Sequence, residues 1–231
     1  MKKNIFDIPI NTHIGINMIK YIHEILYNMM FKYLGSYDKH TFNKINRYTN
    51  KINITDLWNI EEKYLSKLND NILKNYKYAI KLYAYDNRNI SNVNHMTKLK
   101  ELNVYRFCGV NNEGIKKLYD SEVLHAGHNY KITNIKHMIK LRKLVAIGPC
   151  GICDEELLHL NKLEILNADD NFKIKNINGM TKLKVLLARY HCGISDEGIS
   201  NLTNLKIIVS DHNSKITKKS NTIKKTIMRQ M

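Results

Sequence analysis

The amino-acid sequence predicts an α/β solenoid, in which about seven repeats stack their short parallel strands behind a helical N-terminal region. The chain matches itself at an offset of 42 residues, the offset that separates Leu99 from Leu141 and Leu141 from Leu183. Apolar residues alternate with other residues at the start of each unit, as in a strand with one buried face. No unit can bury that face alone, so neighbouring units must stack to form a core.

Each period divides into a long unit of 22 residues and a short unit of 20 residues, which are the spacings from Leu102 to Leu124 and from Leu124 to Leu144. Such periods are typical of solenoid proteins. The long units carry a cysteine just after the strand, at Cys108, Cys150 and Cys192. The short units carry an asparagine there, at Asn87, Asn129, Asn171 and Asn213. We expect these side chains to be buried, where they can bond to turning backbone that would otherwise lack a partner.

Both units resemble leucine-rich repeats. The short unit, which reads Leu124-x-Ala126-x-x-Asn129, is similar to the internalin-like type with its asparagine. The long unit, which reads Leu102-x-Val104 before its cysteine, is similar to the cysteine-containing type. The resemblance implies a protein-binding array rather than an enzyme.

The repeats are expected over residues 79–217. A linker and a degenerate first repeat are expected at 56–78, and a basic tail at 218–231. The tail carries only positive charge, with Lys218, Lys219, Lys224, Lys225 and Arg229.

The cysteines in register raise the question of a metal site or a disulfide. They lie two units apart, and neighbouring strands are about 4.8 Å apart, so successive cysteines are roughly 9–10 Å apart. That distance is too long for a disulfide or for shared zinc coordination. The sequence therefore predicts structural thiols and no metal or other cofactor. Cys153 forms a C-x-x-C motif with Cys150 but aligns with Asn111 and Ser195, so we expect it to be more exposed and to have no redox role.

We expect no enzymatic activity. The histidines are spread over different repeat positions, and no metalloprotease, nucleophile-elbow or phosphate-loop motif occurs. Asp169 and Asp170 are adjacent carboxylates beside a strand. We interpret this pair as surface charge.

The outward residues of the strands form the concave face of such a solenoid, and the register predicts three ladders of residues there. The first ladder is Lys81, Glu101, Val123, Lys143, Ile165, Val185 and Ile207. The second is Tyr83, Asn103, His125, Val145, Asn167, Leu187 and Val209. The third is Tyr85, Tyr105, Gly127, Ile147, Asp169, Arg189 and Asp211.

This face is predicted to bind a protein partner, because exposed apolar patches beside tyrosines are typical of protein interfaces. The residues expected to contact the partner are Tyr83, Tyr85, Tyr105, His125, Val145, Ile147, Ile165, Val185 and Leu187. The alternative is that neighbouring side chains or the N-terminal region partly cover these positions.

Residues 1–55 are expected to be helical. The spacing of Ile22, Leu26, Met30, Leu34 and Phe42, with Phe31 nearby, resembles an F-box. The resemblance implies a partner, the Skp-type adaptor of a cullin–RING ubiquitin ligase, and a contact surface. The residues expected on that surface are Ile22, Leu26, Met30, Phe31 and Leu34. The family's proline and tryptophan positions hold His23 and Thr49, and a helical cap over the open solenoid end is the alternative.

The formal net charge of +16 suits an acidic partner, so nucleic-acid binding by the tail between Lys215 and Arg229 is an alternative function. AT-rich coding also produces this excess of Lys, Asn, Ile and Tyr without selection for binding. The style of the repeats is similar to that of leucine-rich-repeat proteins of giant DNA viruses. No apolar segment follows Met1, so we expect an intracellular protein, in the cytoplasm of a host.

Overall fold

A computed structural model of the chain describes residues 56–57 and 65–217. The chain divides into two compact units, residues 1–54 and 55–231, and every described residue belongs to the second. The F-box-like region, with Ile22, Leu26, Met30, Phe31 and Leu34, therefore lies outside the described residues, as does the basic tail from Lys218 onward.

The described residues form one sheet of eight parallel strands, whose order in the sheet follows their order in the chain. The strands are β1 (Asp56–Leu57), β2 (Lys81–Tyr83), β3 (Glu101–Asn103), β4 (Val123–His125), β5 (Lys143–Val145), β6 (Ile165–Asn167), β7 (Val185–Leu187) and β8 (Ile207–Val209). From β2 onward the parallel strands follow one another at steps of 20 or 22 residues, each pairing with the next, which is the arrangement of a solenoid. The predicted fold class is confirmed for this part of the chain.

The core of the solenoid is a column of aliphatic side chains from the centre of each strand. The central leucines of β3 to β7 pair in register and have no exposed surface; they are Leu102, Leu124, Leu144, Leu166 and Leu186. Small residues two positions later lie equally deep, such as Ala126 and Ala146. The strand period of two residues places both positions on the inner face.

The surface opposite the strands differs between the two unit types. One turn of helix occurs in α1 (Asp70–Leu73), α2 (Asn112–Ile115) and α3 (Asp154–Leu157), and a 3-10 turn occurs at Glu197–Ile199. The last three belong to long units, and the short units between β2 and β7 contain no helix. The two additional residues of a long unit therefore accommodate the helical turn.

Each of the three helices begins at a capping residue in an extended conformation. The side-chain carbonyl of Asn111 accepts a hydrogen bond from the Gly114 N–H at 3.0 Å. Cys153 occupies the same place before α3, and its thiol lies 3.0 Å from Oε2 of Glu156, which also accepts from the Cys153 N–H at 3.1 Å. Cys153 is half-buried, as expected, and its position is that of a helix cap.

Buried asparagines join each short unit to the long unit before it. Nδ2 of Asn129 donates to the carbonyls of Val104 and Val110 at 2.9 and 3.2 Å. Asn171 does the same with Ala146 and Ile152, at 2.9 and 3.3 Å. The expected role of the asparagines, bonding to turning backbone, is confirmed.

Glycines join each long unit to the short unit before it. The Gly109 N–H donates to the Asn87 carbonyl at 3.0 Å, and the Gly193 N–H donates to the Asn171 carbonyl at 2.9 Å. A Cβ atom at Gly109 would lie 2.5 Å from the Arg88 carbonyl oxygen. Only a residue without a side chain allows the two backbones to approach so closely.

The three cysteines in register are free thiols with no exposed surface. Burial raises the pKa of both Cys108 and Cys192 to about 11. These groups are therefore neutral at ordinary pH and pack as small apolar side chains, as expected. Among the residues that the structure describes, no helix has the length and apolar character needed to cross a membrane.

Candidate functional site: the concave face

Strand pairing fixes the first two ladders of the concave face in the predicted register. Lys81 pairs with Glu101 and Glu101 with Val123, and the same steps continue to Val185 and Ile207. The third ladder follows the ends of the strands. There the N–H groups of Arg106, His128 and Gly148 donate to the carbonyls of Gly127, Ile147 and Asp169, respectively, at 2.8–2.9 Å.

The apolar part of this face is less exposed than the sequence suggests. Val145 and Leu187 are buried, with 9% and 8% of their surface exposed, while Ile147, Ile165 and Val185 are half-buried. The prediction that all five form an exposed patch is wrong for Val145 and Leu187. The units are close enough along the sheet for these side chains to cover one another.

Tyrosines form a stacked series at the other end of the face. The ring of Tyr85 lies 5.7 Å from those of Tyr83 and Tyr105, with interplanar angles of 8° and 12°. Tyr105 then meets His128 edge to face at 5.3 Å. A side chain at Gly127 would collide with the Tyr105 ring, so the glycine leaves the space that the ring occupies. The result is a rigid aromatic surface.

His125 lies between the aromatic and aliphatic parts of the face, and it is neutral. Burial, together with the nearby Lys143 ammonium, lowers its pKa to about 4, although Glu101 acts in the opposite direction. Its Nε2 lies 3.7 Å from Oε1 of Glu101, and Oε2 of the same carboxylate pairs with the Lys81 ammonium at 3.0 Å. The imidazole is therefore uncharged at pH 7, and its Nε2 is buried within the face.

An ion pair between a buried carboxylate and a half-buried arginine lies in the third ladder at Asp169. Its side chain is only 5% exposed, and its Oδ2 accepts from Nε and Nη2 of Arg189 at 2.9 and 2.6 Å. Oδ1 accepts from the Arg189 N–H at 2.8 Å. The interpretation of Asp169 as surface charge is therefore wrong. The adjacency of Asp169 and Arg189 in the predicted third ladder is the signal that would have found the pair.

Asp170, the neighbouring carboxylate, is half-buried. Its Oδ1 accepts a hydrogen bond from the His191 N–H at 3.2 Å, and the His191 ring is almost fully exposed. Among the described residues, no three His, Cys, Asp or Glu side chains are grouped so that they could hold a metal ion.

No protein-family model matches the chain, and no curated protein matches its sequence. Similar solved structures come from Listeria monocytogenes. The functional domain of InlJ, which includes a cysteine ladder, is 21% identical with a TM-score of 0.48, over 61% of this chain and 31% of that one. Internalin C2 is 19% identical with a TM-score of 0.48, over 80% and 92% of the two chains. The internalin InlF is 18% identical with a TM-score of 0.32, over 64% and 69%. This chain thus spans less than a third of the InlJ structure.

Proposed function

We propose that this chain recognises another protein through its concave face and performs no chemistry there. The observation that carries the proposal is the stacked series Tyr83, Tyr85 and Tyr105 at the ends of β2 and β3. Tyrosines are enriched in protein interfaces, where rigid aromatic rings anchor the partner at little entropic cost. The neutral His125 and the half-buried Ile165 and Val185 continue the surface, with Lys143 directly beside Ile165.

The two parts of the face would contribute differently to affinity. A tyrosine side chain combines an apolar ring with a hydroxyl group, so the series can supply both contact area and hydrogen bonds. The aliphatic part is already covered to a large extent, and a partner gains less by covering it further. We therefore assign most of the binding energy to Tyr85 and Tyr105.

The test is capture of partners by the full-length chain, compared with a concave variant and a matched control. Tyr85→Ala with Tyr105→Ala is expected to lose the captured protein, with at least a tenfold fall in affinity, as for hot-spot residues. The control is Leu158→Ala, since Leu158 is 68% exposed and lies just beyond α3 on the opposite surface. Equal capture by the concave variant and the control would contradict the proposal.

A finer proposal is that the chain is a substrate receptor of a cullin–RING ubiquitin ligase. Its support is the F-box-like spacing of Ile22, Leu26, Met30 and Leu34. The full-length chain should then bind a purified Skp-type adaptor, and Leu34→Asp should abolish binding because it buries an unpaired charge. Absence of adaptor binding would remove the ligase role and leave recognition by the concave face untouched.

A further inference from the structure

A second surface lies at the edge of the sheet where the parallel strands end. Three aromatic side chains project there into solvent: Phe107 after β3, Tyr130 after β4 and Phe172 after β6, with 52%, 60% and 55% of their surface exposed. We call this edge, together with the cations beside it, the aromatic rim. Large aromatic side chains rarely remain so exposed in a row without a partner.

The backbone holds two of these rings outward. Tyr130 and Phe172 each stand between a buried asparagine and a lysine. The side-chain carbonyls of Asn129 and Asn171 accept hydrogen bonds from the N–H groups of Lys131 and Lys173, both at 3.0 Å. The same asparagines donate into the core, so neither ring can turn inward. The two rings are two units apart, which is about 10 Å along the sheet.

Three cations belong to this edge. The Arg88 guanidinium lies 5.3 Å from the centre of the Phe107 ring. Lys131 and Lys173 follow Tyr130 and Phe172 directly in sequence. Within the described part of the chain, none of the three forms an ion pair with a carboxylate. On the opposite edge, in contrast, Lys140 pairs with Asp120 and Arg142 pairs with Glu164.

We propose that the aromatic rim binds single-stranded nucleic acid. Unpaired bases would stack on Phe107, Tyr130 and Phe172, and the cations would contact the phosphates between them. Exposed aromatic rings that alternate with positive charge are the arrangement by which proteins bind single strands without sequence preference. Aromatic side chains and arginine are also enriched at protein interfaces, so the choice of a single strand rests on Lys131 and Lys173, since lysine is depleted there. This surface is separate from the concave face, so the inference goes beyond the proposed function.

Direct binding tests the stacking. The probes are fluorescent oligo(dT) and oligo(U) of about 20 nucleotides, long enough to span the rim, measured by anisotropy against the full-length chain. Tyr130→Ala with Phe172→Ala should weaken binding at least about tenfold, since each stacked base contributes substantially. The matched control is Tyr119→Ala, because Tyr119 is 57% exposed on the opposite edge of the sheet. It should bind as the wild type does.

Salt dependence tests the phosphate contacts. Neutralising two contacts, by Lys131→Gln with Lys173→Gln, should reduce the slope of log Kd against log salt by about 1.4, at about 0.7 for each phosphate contact with a single strand. Lys98→Gln with Lys182→Gln, at exposed positions on the opposite edge, should leave the slope unchanged. An unchanged slope in the rim variant would contradict the assigned contacts.

Three further outcomes would overturn the proposal. The first is no binding of either probe at low salt. The second is equal competition by a duplex of the same length, whose bases are not available for stacking. The third is complete loss of binding when residues 218–231 are removed, with the rim variants binding as the wild type does. That result would assign the nucleic acid to the basic tail. None of these outcomes bears on protein capture by the concave face.

Discussion

The long and short units share one hydrophobic core but differ in the polar groups that join them. A short unit contributes an asparagine whose amide bonds to two carbonyls of the long unit before it, as Asn171 does with Ala146 and Ile152. A long unit contributes Cys150 at the corresponding place. Its thiol donates to the Ala146 carbonyl of the same unit at 3.5 Å and accepts from the Asn171 amide at 3.3 Å. The glycine after it, Gly151, bonds to the short unit before, through the Asn129 carbonyl at 3.3 Å.

The asparagine junction and the glycine junction of this solenoid therefore depend on opposite properties of a side chain. One junction needs an amide with two donors, and the other needs no side chain at all. The core column of strand leucines is common to both unit types, so it stacks the units without distinguishing them. Substitutions at the three kinds of position should therefore differ in a defined order.

The largest effect is expected at the asparagine. Asn171→Ala removes the donors to two buried carbonyls, and each carbonyl left unsatisfied costs about 1–3 kcal/mol. The free energy of unfolding should therefore fall by about 2–6 kcal/mol. Cys150→Ala in the adjoining long unit removes one buried sulfur and should cost about 1 kcal/mol. Urea unfolding of both variants measures the difference. Equal losses would mean that the two unit types are joined alike.

Substitutions in the core column of strand leucines should have equal effects in both unit types. Leu144→Ala in a long unit and Leu166→Ala in a short unit each remove a side chain with no exposed surface, at about 2–5 kcal/mol. Val145→Ala, on the concave side, should cost about 1 kcal/mol because that side chain is also largely covered. A greater loss at Val145 than at Leu144 would show that the strand register is wrong.

The glycine junction should tolerate no side chain. Gly109→Ala forces the backbones of two units apart at the Arg88 carbonyl, which should cost about 1–3 kcal/mol through overpacking. Gly179→Ala is the matched control, since no atom lies within 4 Å of the added Cβ, and its effect should stay within about 0.5 kcal/mol. Thermal unfolding of the pair separates the close approach from the general effect of replacing glycine.

The smallest effect is expected at a cap within the long units. Cys153 stands where Asn111 and Ser195 cap the equivalent turns, and a thiol is a weak hydrogen-bond acceptor. Cys153→Ser should therefore stabilise the chain by up to about 1 kcal/mol, a rise in Tm of about 2–4 °C. The reverse change, Ser195→Cys, should lower the Tm. A fall in Tm for Cys153→Ser would mean that the contact with Glu156 matters more than the cap.

The sequence predicted the register of the concave face because a two-residue period and a 42-residue repeat leave only one alignment of Tyr83, Asn103 and His125. It did not predict how far Val145 and Leu187 are covered. Their exposure depends on side chains in the units on either side, which a ladder of positions does not describe. The aromatic rim was missed for another reason. Its rings come from unlike places in the two unit types, before the cysteine at Phe107 and after the asparagine at Tyr130.

The two unlike junctions restrict how such a chain can change its length. Loss of one short unit would leave two long units in contact, and no asparagine amide would donate to carbonyls such as those of Val104 and Val110. Loss of one long unit would place two asparagine units together without the intervening glycine. Tandem duplication or deletion can therefore preserve every contact only in steps of a complete pair, 42 residues at a time. The pair of one long and one short unit is therefore the repeat by which the array can change length, and it is also the module by which an engineer could lengthen it.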